Sequence, residues 1–165
     1  MIHAFRSSTI IPCPVSGVFA FFSDAANLQK ITPPELRFRI LTPAPIEMGQ
    51  GTRIDYRLQL RGIPFKWSTL ITLWEPPYRF VDVQTKGPYR HWAHTHRFSG
   101  QKDGTKMTDE VVYQLPFWPL GEIICPLIRR ELSRIFLFRE QKVREIFEGT
   151  LFSSTRRDEI RTERE

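Results

Sequence analysis

Tyr89-Arg90-His91-Trp92-Ala93-His94-Thr95-His96-Arg97-Phe98 is the stretch on which the reading of this chain turns. Read as a strand, it places Trp92, His94, His96 and Phe98 on one face and His91, Ala93, Thr95 and Arg97 on the other, because successive side chains alternate. Asp103-Gly104 then forms the strongest short hairpin signal in the chain and predicts a partner strand over residues 105–115. With that dipeptide at the tip, Lys102 faces Thr105, and counting outward sets Phe98 opposite Asp109, His96 opposite Val111 and His94 opposite Tyr113. Two imidazoles, a carboxylate and a phenol then share one surface. A slip of one residue would send Asp109, Val111 and Tyr113 to the other face.

Working upstream, residues 2–11 alternate and end in the β-branched run Thr9-Ile10-Ile11, which predicts a first strand closed by Pro12 and Pro14. Val15, Val18, Phe19 and Phe22 then recur at helical spacing after Pro14, and Asp24 caps a second short helix reaching Lys30. Thr32-Pro33-Pro34 ends it, since the residue before a proline is driven out of the helical region. From Leu36 the pattern changes to strands: around residues 38–41, over 52–60 with Ile54, Tyr56, Leu58 and Leu60 alternating with polar residues, over 64–74, and over 79–84. Whether Asp55 or Tyr56 faces inward stays open at this point. Downstream, residues 122–148 form the one long helical stretch, with Ile124, Ile128, Leu132, Ile135, Phe136, Val143, Ile146 and Phe147 on one face. Arg139 falls on that apolar face, where a charge is costly unless paired, and Asp109 is the nearest candidate partner. Residues 151–165 are highly charged and are expected to form a frayed, flexible, solvated tail beyond a single domain over 1–150.

At 165 residues the chain is large enough to bury one core or to enclose a ligand cavity. Its 13 Phe against 3 Met call for bulky, rigid side chains lining a core or a pocket. The net charge of +6 is concentrated in residues 37–106, which carry 12 Lys/Arg against 5 Asp/Glu. These cations recur at alternate positions, as on the solvent faces of antiparallel strands, and no compact basic cluster argues for nucleic acid. Cys13 and Cys125 sit beside prolines without metal-type spacing and read as small buried hydrophobes in a reducing compartment. With no signal-like start and no run of about 18 apolar residues, a cytoplasmic protein without stable membrane insertion is expected, although transient contact with a membrane surface is compatible.

Strand, two short helices, six strands and a long helix make an α+β chain in which a curved antiparallel sheet of about seven strands wraps around the C-terminal helix and leaves a pocket. This order, together with Trp92-Ala93-His94-Thr95-His96-Arg97-Phe98, Asp109-Glu110-Val111-Val112-Tyr113, Phe136-Leu137-Phe138-Arg139, Leu41-Thr42-Pro43 and Trp74-Glu75-Pro76-Pro77, resembles the START-like (SRPBCC) superfamily near its polyketide cyclase/dehydrase and lipid-transport branch. The resemblance spans roughly residues 3–148 and implies a helix-grip fold with an apolar cavity between sheet and helix.

Two functions follow from it. One is non-catalytic binding or carriage of a small hydrophobic molecule, such as a lipid, a quinone or an aromatic polyketide-like compound. The other is a cyclase or dehydratase using His94 or His96 as base with Asp109 and Tyr113. The expected ligand-binding set is Trp92, His94, His96, Phe98, Asp109, Val111, Tyr113, Ile128, Leu132, Ile135, Phe136 and Arg139. Against these roles stand plainer ones: the histidines as a hydrogen-bonded patch, Tyr113 as a core aromatic, and an Arg139–Asp109 pair that only docks the helix. His94 and His96 have a spacing some zinc sites use, but His91 points away and His3 lies at the chain start, so no metal is expected. No motif calls for a nucleotide or other cofactor.

Overall fold

The computed structural model describes residues 1–162, and residues 150–162 by their backbone alone. Strand β1 (Ile2–Ile11) is followed by helices α1 (Val15–Phe22) and α2 (Asn27–Lys30) and a single 3-10 turn (Pro34–Leu36). Six further strands come next: β2 (Arg39–Ile40), β3 (Arg53–Leu60), β4 (Ile63–Glu75), β5 (Arg79–Lys86), β6 (His91–Gln101) and β7 (Gly104–Gln114). A short helix α3 (Leu120–Ile123) leads into α4 (Cys125–Thr162). The seven strands form one antiparallel sheet in the order β1-β7-β6-β5-β4-β3-β2, a helix-grip α+β fold with α4 laid across its concave face.

Alternation drives the sheet. Along β1 the outward residues are exposed while His3, Phe5, Ser7, Thr9 and Ile11 turn inward. Strand β4 carries two irregularities in its pairing with β5, between Ser68 and Thr69 and between Ile71 and Leu73. Bulges of this kind increase local twist and bend the strand, which curves the sheet around the helix.

The central hairpin turns one residue earlier than its sequence suggests. Gln101 pairs with Gly104, so Lys102 and Asp103 form the tip, and Phe98, His96, His94 and Trp92 stand opposite Met107, Asp109, Val111 and Tyr113. The register differs from the expected one by two residues, an even number, so every side chain keeps its face. Gly104 is needed for close approach rather than for the tip: at φ 137° a Cβ there would lie 2.2 Å from the Ile11 carbonyl oxygen. Thr105 donates its hydroxyl to the Cys13 carbonyl at 2.7 Å and locks the same corner.

Two apolar clusters flank the middle of the sheet. Phe19 and Val18 of α1 pack with Phe80, Phe98, Met107 and Val143 at one end. Trp67, Trp92, Val111, Tyr113, Leu115, Leu132 and Phe136 pack at the other. The C-terminal helix starts three residues later than expected, at Cys125, because Pro126 fits only a first helical turn. Its backbone runs on to Thr162; the expected solvation of the tail concerns side chains that lie outside the described residues. Among the described residues no helix is long and apolar enough to cross a membrane.

Candidate functional site

Between the clusters the sheet and α4 do not meet, and a cavity of about 630 Å³ remains. Its wall follows the strand periodicity: Ile54, Tyr56 and Leu58 on β3, Trp67, Thr69 and Ile71 on β4, Phe80 and Asp82 on β5, and Trp92, His94 and His96 on β6. Helix α4 contributes Ile128, Leu132, Ile135, Phe136 and Arg139, one stripe of its inner face. Pro116, Phe117 and Ile124 also border the cavity, and Phe117 is 81% exposed, so this edge is where the cavity meets solvent.

The polar part is built by cross-strand pairing. Asp82 stands opposite His94, and His96 opposite Asp109. His94 donates from Nε2 to Asp109 Oδ1 at 2.8 Å, and the ring centroids of His94 and His96 lie 3.8 Å apart. His96 Nε2 meets Asp82 Oδ2 at 3.1 Å. Its Nδ1 lies 2.9 Å from Asp109 Oδ1 but at an angle too bent for a hydrogen bond, so that contact is electrostatic. Thr69 donates to Asp82 Oδ1 at 3.1 Å and holds it in place.

This geometry splits the two imidazoles. Burial, and then the charge of its neighbour, pushes the His94 pKa down. Burial acts on His96 as well, but Asp109 and Asp82 on either side outweigh it and hold its pKa above the usual histidine value. Burial disfavours ionised Asp109 too, yet the two imidazoles keep its carboxyl well below the usual carboxylate range. The cluster is therefore two carboxylates around two imidazoles, of which His96, between them, holds a proton more firmly than His94. Tyr56, half-buried across the cavity, has its phenol held well above the ordinary tyrosine value by its removal from water and by Asp82.

Arg139 departs from the expected pairing. Asp109 is taken by the imidazoles, which stand on adjacent strand positions and reach it first. Among the described residues Arg139 has no ion pair; its Nε lacks any hydrogen-bond partner and its guanidinium carbon lies 4.8 Å above the Phe136 ring. Among the described residues the Trp67 indole N–H and His96 Nδ1 are the other buried polar atoms of the cavity wall without a hydrogen-bond partner.

Of the residues singled out by sequence, Trp92, His94, His96, Ile128, Leu132, Ile135, Phe136 and Arg139 line the cavity. Asp109 stands behind the imidazoles. Phe98 is covered by Phe19 and Phe22 of α1, and Val111 and Tyr113 are wholly buried behind the wall. The Tyr113 hydroxyl lies 4.0 Å from the Cys125 sulfur, and neither residue borders the cavity. Tyr56 faces in, while Asp55 faces out beside Arg53. Asp82 was the residue that sequence reasoning missed; its two-residue offset from Phe80 and the inward Trp74–Phe80 pair are the signals that would have placed it. Asp82, His94 and His96 each offer an atom within 4.8 Å of the others, as a metal ligand set would. His96 and Asp82 already satisfy each other, and His94 Nε2 is committed to Asp109.

A helix-grip sheet closed by one long helix over an apolar cavity with a buried polar cluster defines a ligand-binding scaffold. The family described as polyketide cyclase/dehydrase and lipid transport matches residues 11–136, and the chain belongs to it. Among solved structures it is similar to the ZhuI aromatase/cyclase from Streptomyces sp. R1128, at 15% identity and a TM-score of 0.72 over 92% of this chain and 96% of that one. It is similar also to protein Ms6760 from Mycobacterium smegmatis, at 14% identity and a TM-score of 0.66 over 89% and 92% of the two chains. The di-domain aromatase/cyclase StfQ of the steffimycin biosynthetic pathway matches at 12% identity and a TM-score of 0.70, over 92% of this chain and 52% of its own. At such identities the likeness is one of fold. None of the curated proteins matches the chain in sequence.

Proposed function

We propose that this chain binds a small, mostly apolar molecule that presents an acceptor oxygen or carboxylate to Arg139. The observation that carries the reading is a mismatch in the cavity wall. About 630 Å³ of mainly aromatic and aliphatic lining contains a guanidinium with no carboxylate against it and an unpartnered Nε. Ligand cavities typically measure about 300–1,000 Å³ and use few polar groups to fix orientation, and the half-buried Arg139, with its Nε sealed from water and unpartnered, lacks a hydrogen bond that such a ligand would supply. Quinones, aromatic polyketide-like compounds and lipids with one polar end fit this description. Native mass spectrometry of the freshly purified protein, followed by solvent extraction, tests it: a released apolar compound is expected. An empty protein whose mass and tryptophan fluorescence ignore a panel of such compounds rejects the reading.

One observation favours a second reading on the same ligand. Paired titratable groups pushed apart in pKa are the usual basis for assigning an acid and a base, and His94 and His96 are such a pair at the cavity floor. Proton transfer to a bound enolisable carbonyl would then accompany binding, as in a cyclisation or dehydration. His96→Gln with its fold and ligand affinity intact must lose turnover; unchanged turnover removes the assignment. The two free thiols fit a reducing, cytoplasmic setting. Exposed Phe117, Trp118 and Leu120 beside the cavity edge fit transient contact with a membrane during ligand exchange. Failure to co-sediment with vesicles under any ligand load would reject that contact.

A further inference from the structure

Outside the cavity lining, residues from the two ends of the fold converge. His3 lies on the edge strand β1, Glu122 in α3, and Cys125 is the first residue of α4. His3 Nε2 is 2.8 Å from Glu122 Oε2, and the Cys125 sulfur is 3.5 Å from His3 Nδ1 and 3.7 Å from Nε2. One ligand atom from each residue lies within 4.8 Å of the other two. We propose that His3, Glu122 and Cys125 form a binding site for a thiophilic divalent cation of the zinc type.

The donor set is what selects the ion. A thiolate, an imidazole and a carboxylate together suit zinc and its analogues and suit magnesium or calcium poorly. Tetrahedral coordination with bonds of about 2.0 Å to nitrogen or oxygen and about 2.3 Å to sulfur spaces the donors roughly 3.3–3.6 Å apart. At 3.5 and 3.7 Å from the two ring nitrogens the sulfur lies over the imidazole rather than along either lone pair, so the ring has to turn to aim one nitrogen at an ion shared with the sulfur. The Nε2–Oε2 contact has to open by about half an ångström, which an imidazole and carboxylate at the surface can allow. His3 and Glu122 side chains are 11% and 16% exposed, so an ion has a way in and a fourth position remains for water.

Cys125 opens α4, so its sulfur stands at the positive end of a long helix and beside an imidazole. The charged groups around it act in both directions. The Met1 ammonium lies 2.9 Å from Glu122 Oε1 and leaves Oε2 to the metal, while Arg129 interacts with the Tyr113 hydroxyl 4.0 Å from the sulfur and resists a further cation. A bound ion would also tie β1 to the start of α4 across about 120 residues of chain, adding the stabilisation that any ligand of the native state provides.

Cobalt titration of the metal-free protein tests the site, because a thiolate-to-cobalt charge-transfer band arises only from sulfur ligation. The cavity cluster of Asp82, His94 and His96 has no sulfur and stays silent. One equivalent of cobalt should raise the band, zinc should displace it, Cys13→Ser should leave it intact and Cys125→Ser should abolish it. His3→Gln and Glu122→Gln, which keep the sulfur, should each weaken cobalt binding by at least about tenfold. No band in the wild-type protein under excess cobalt overturns the proposal, as does a band that survives Cys125→Ser. If Cys125→Ser does not fold, unchanged affinity in both His3→Gln and Glu122→Gln overturns it equally.

Discussion

Replacing Asp109 by Asn removes the charge that the two imidazoles share while keeping the shape of the side chain. In the native protein this carboxylate is 6% exposed, accepts from His94 Nε2 at 2.8 Å and lies 2.9 Å from His96 Nδ1. Breaking a buried ion pair at one partner typically costs about 3–5 kcal/mol. The amide oxygen still accepts from His94, and Asp82 still faces His96, so the lower end, about 3 kcal/mol, is the expected loss near pH 6. For a chain of this size that corresponds to a fall in Tm of roughly 6–12 °C.

The loss depends on pH with a definite sign. The native pKa of His96 is raised, so the stability it contributes is fully present below its unfolded value of about 6.5 and drains away as pH rises through the native value. Asp109→Asn should therefore cost most near pH 6 and progressively less as pH rises through the native His96 value, where the wild type loses the same proton. Thermal and urea melts followed by circular dichroism across pH 5.5–9, with histidine Cε1 proton shifts by NMR, measure both effects. A penalty under about 1 kcal/mol, which is what an exposed pair would give, or an unmoved His96 titration, would refute the shared-charge account.

Arg139→Met should leave stability within about 1 kcal/mol of wild type, since it breaks no ion pair, yet weaken binding of an acidic or carbonyl-bearing ligand roughly tenfold to a hundredfold, the worth of a charge-assisted hydrogen bond. Calorimetric titration beside a thermal melt separates the two, and equal affinity would remove Arg139 from the ligand's contacts. Tyr113→Phe removes a hydroxyl behind the cavity wall, so a stability change of about 1 kcal/mol and unaltered ligand affinity are expected. A large fall in affinity would return Tyr113 to the site. Gly104→Ala pushes a methyl against the Ile11 carbonyl at a backbone angle that L-residues rarely adopt, and should cost more than about 3 kcal/mol. A wild-type melting curve for that variant would show the corner to be more yielding than its geometry implies.

Much of the architecture was legible from local patterns. Alternation in β1, β3, β6 and β7, the apolar face of α4 and the two short helices after β1 all depend on side-chain period, which a linear sequence displays directly. The inward face of Trp92, His94 and His96 was legible for the same reason, and it survived a two-residue change of hairpin register because only odd slips invert a strand.

Period tells which residues turn inward and is silent on what lies above them. Phe98 and Tyr113 share the face of His94 and His96, but α1 covers one and the start of α4 backs the other, so neither borders the cavity. Asp82 comes to His94 and His96 through the pairing of β5 with β6 and the bulged ladder of β4, neither of which its own neighbours in sequence announce. Arg139 was placed on the correct helix face by its spacing alone. Which group it would meet was decided by distance, as two imidazoles stand closer to Asp109. The convergence of His3, Glu122 and Cys125 joins the ends of the fold across a separation of some 120 residues. The sequence by itself determined the sheet, the helix and the inward-facing side chains, through interactions whose range is a few residues. Tertiary packing alone decided which of those side chains meet one another, which are sealed in the core and which are left facing open space.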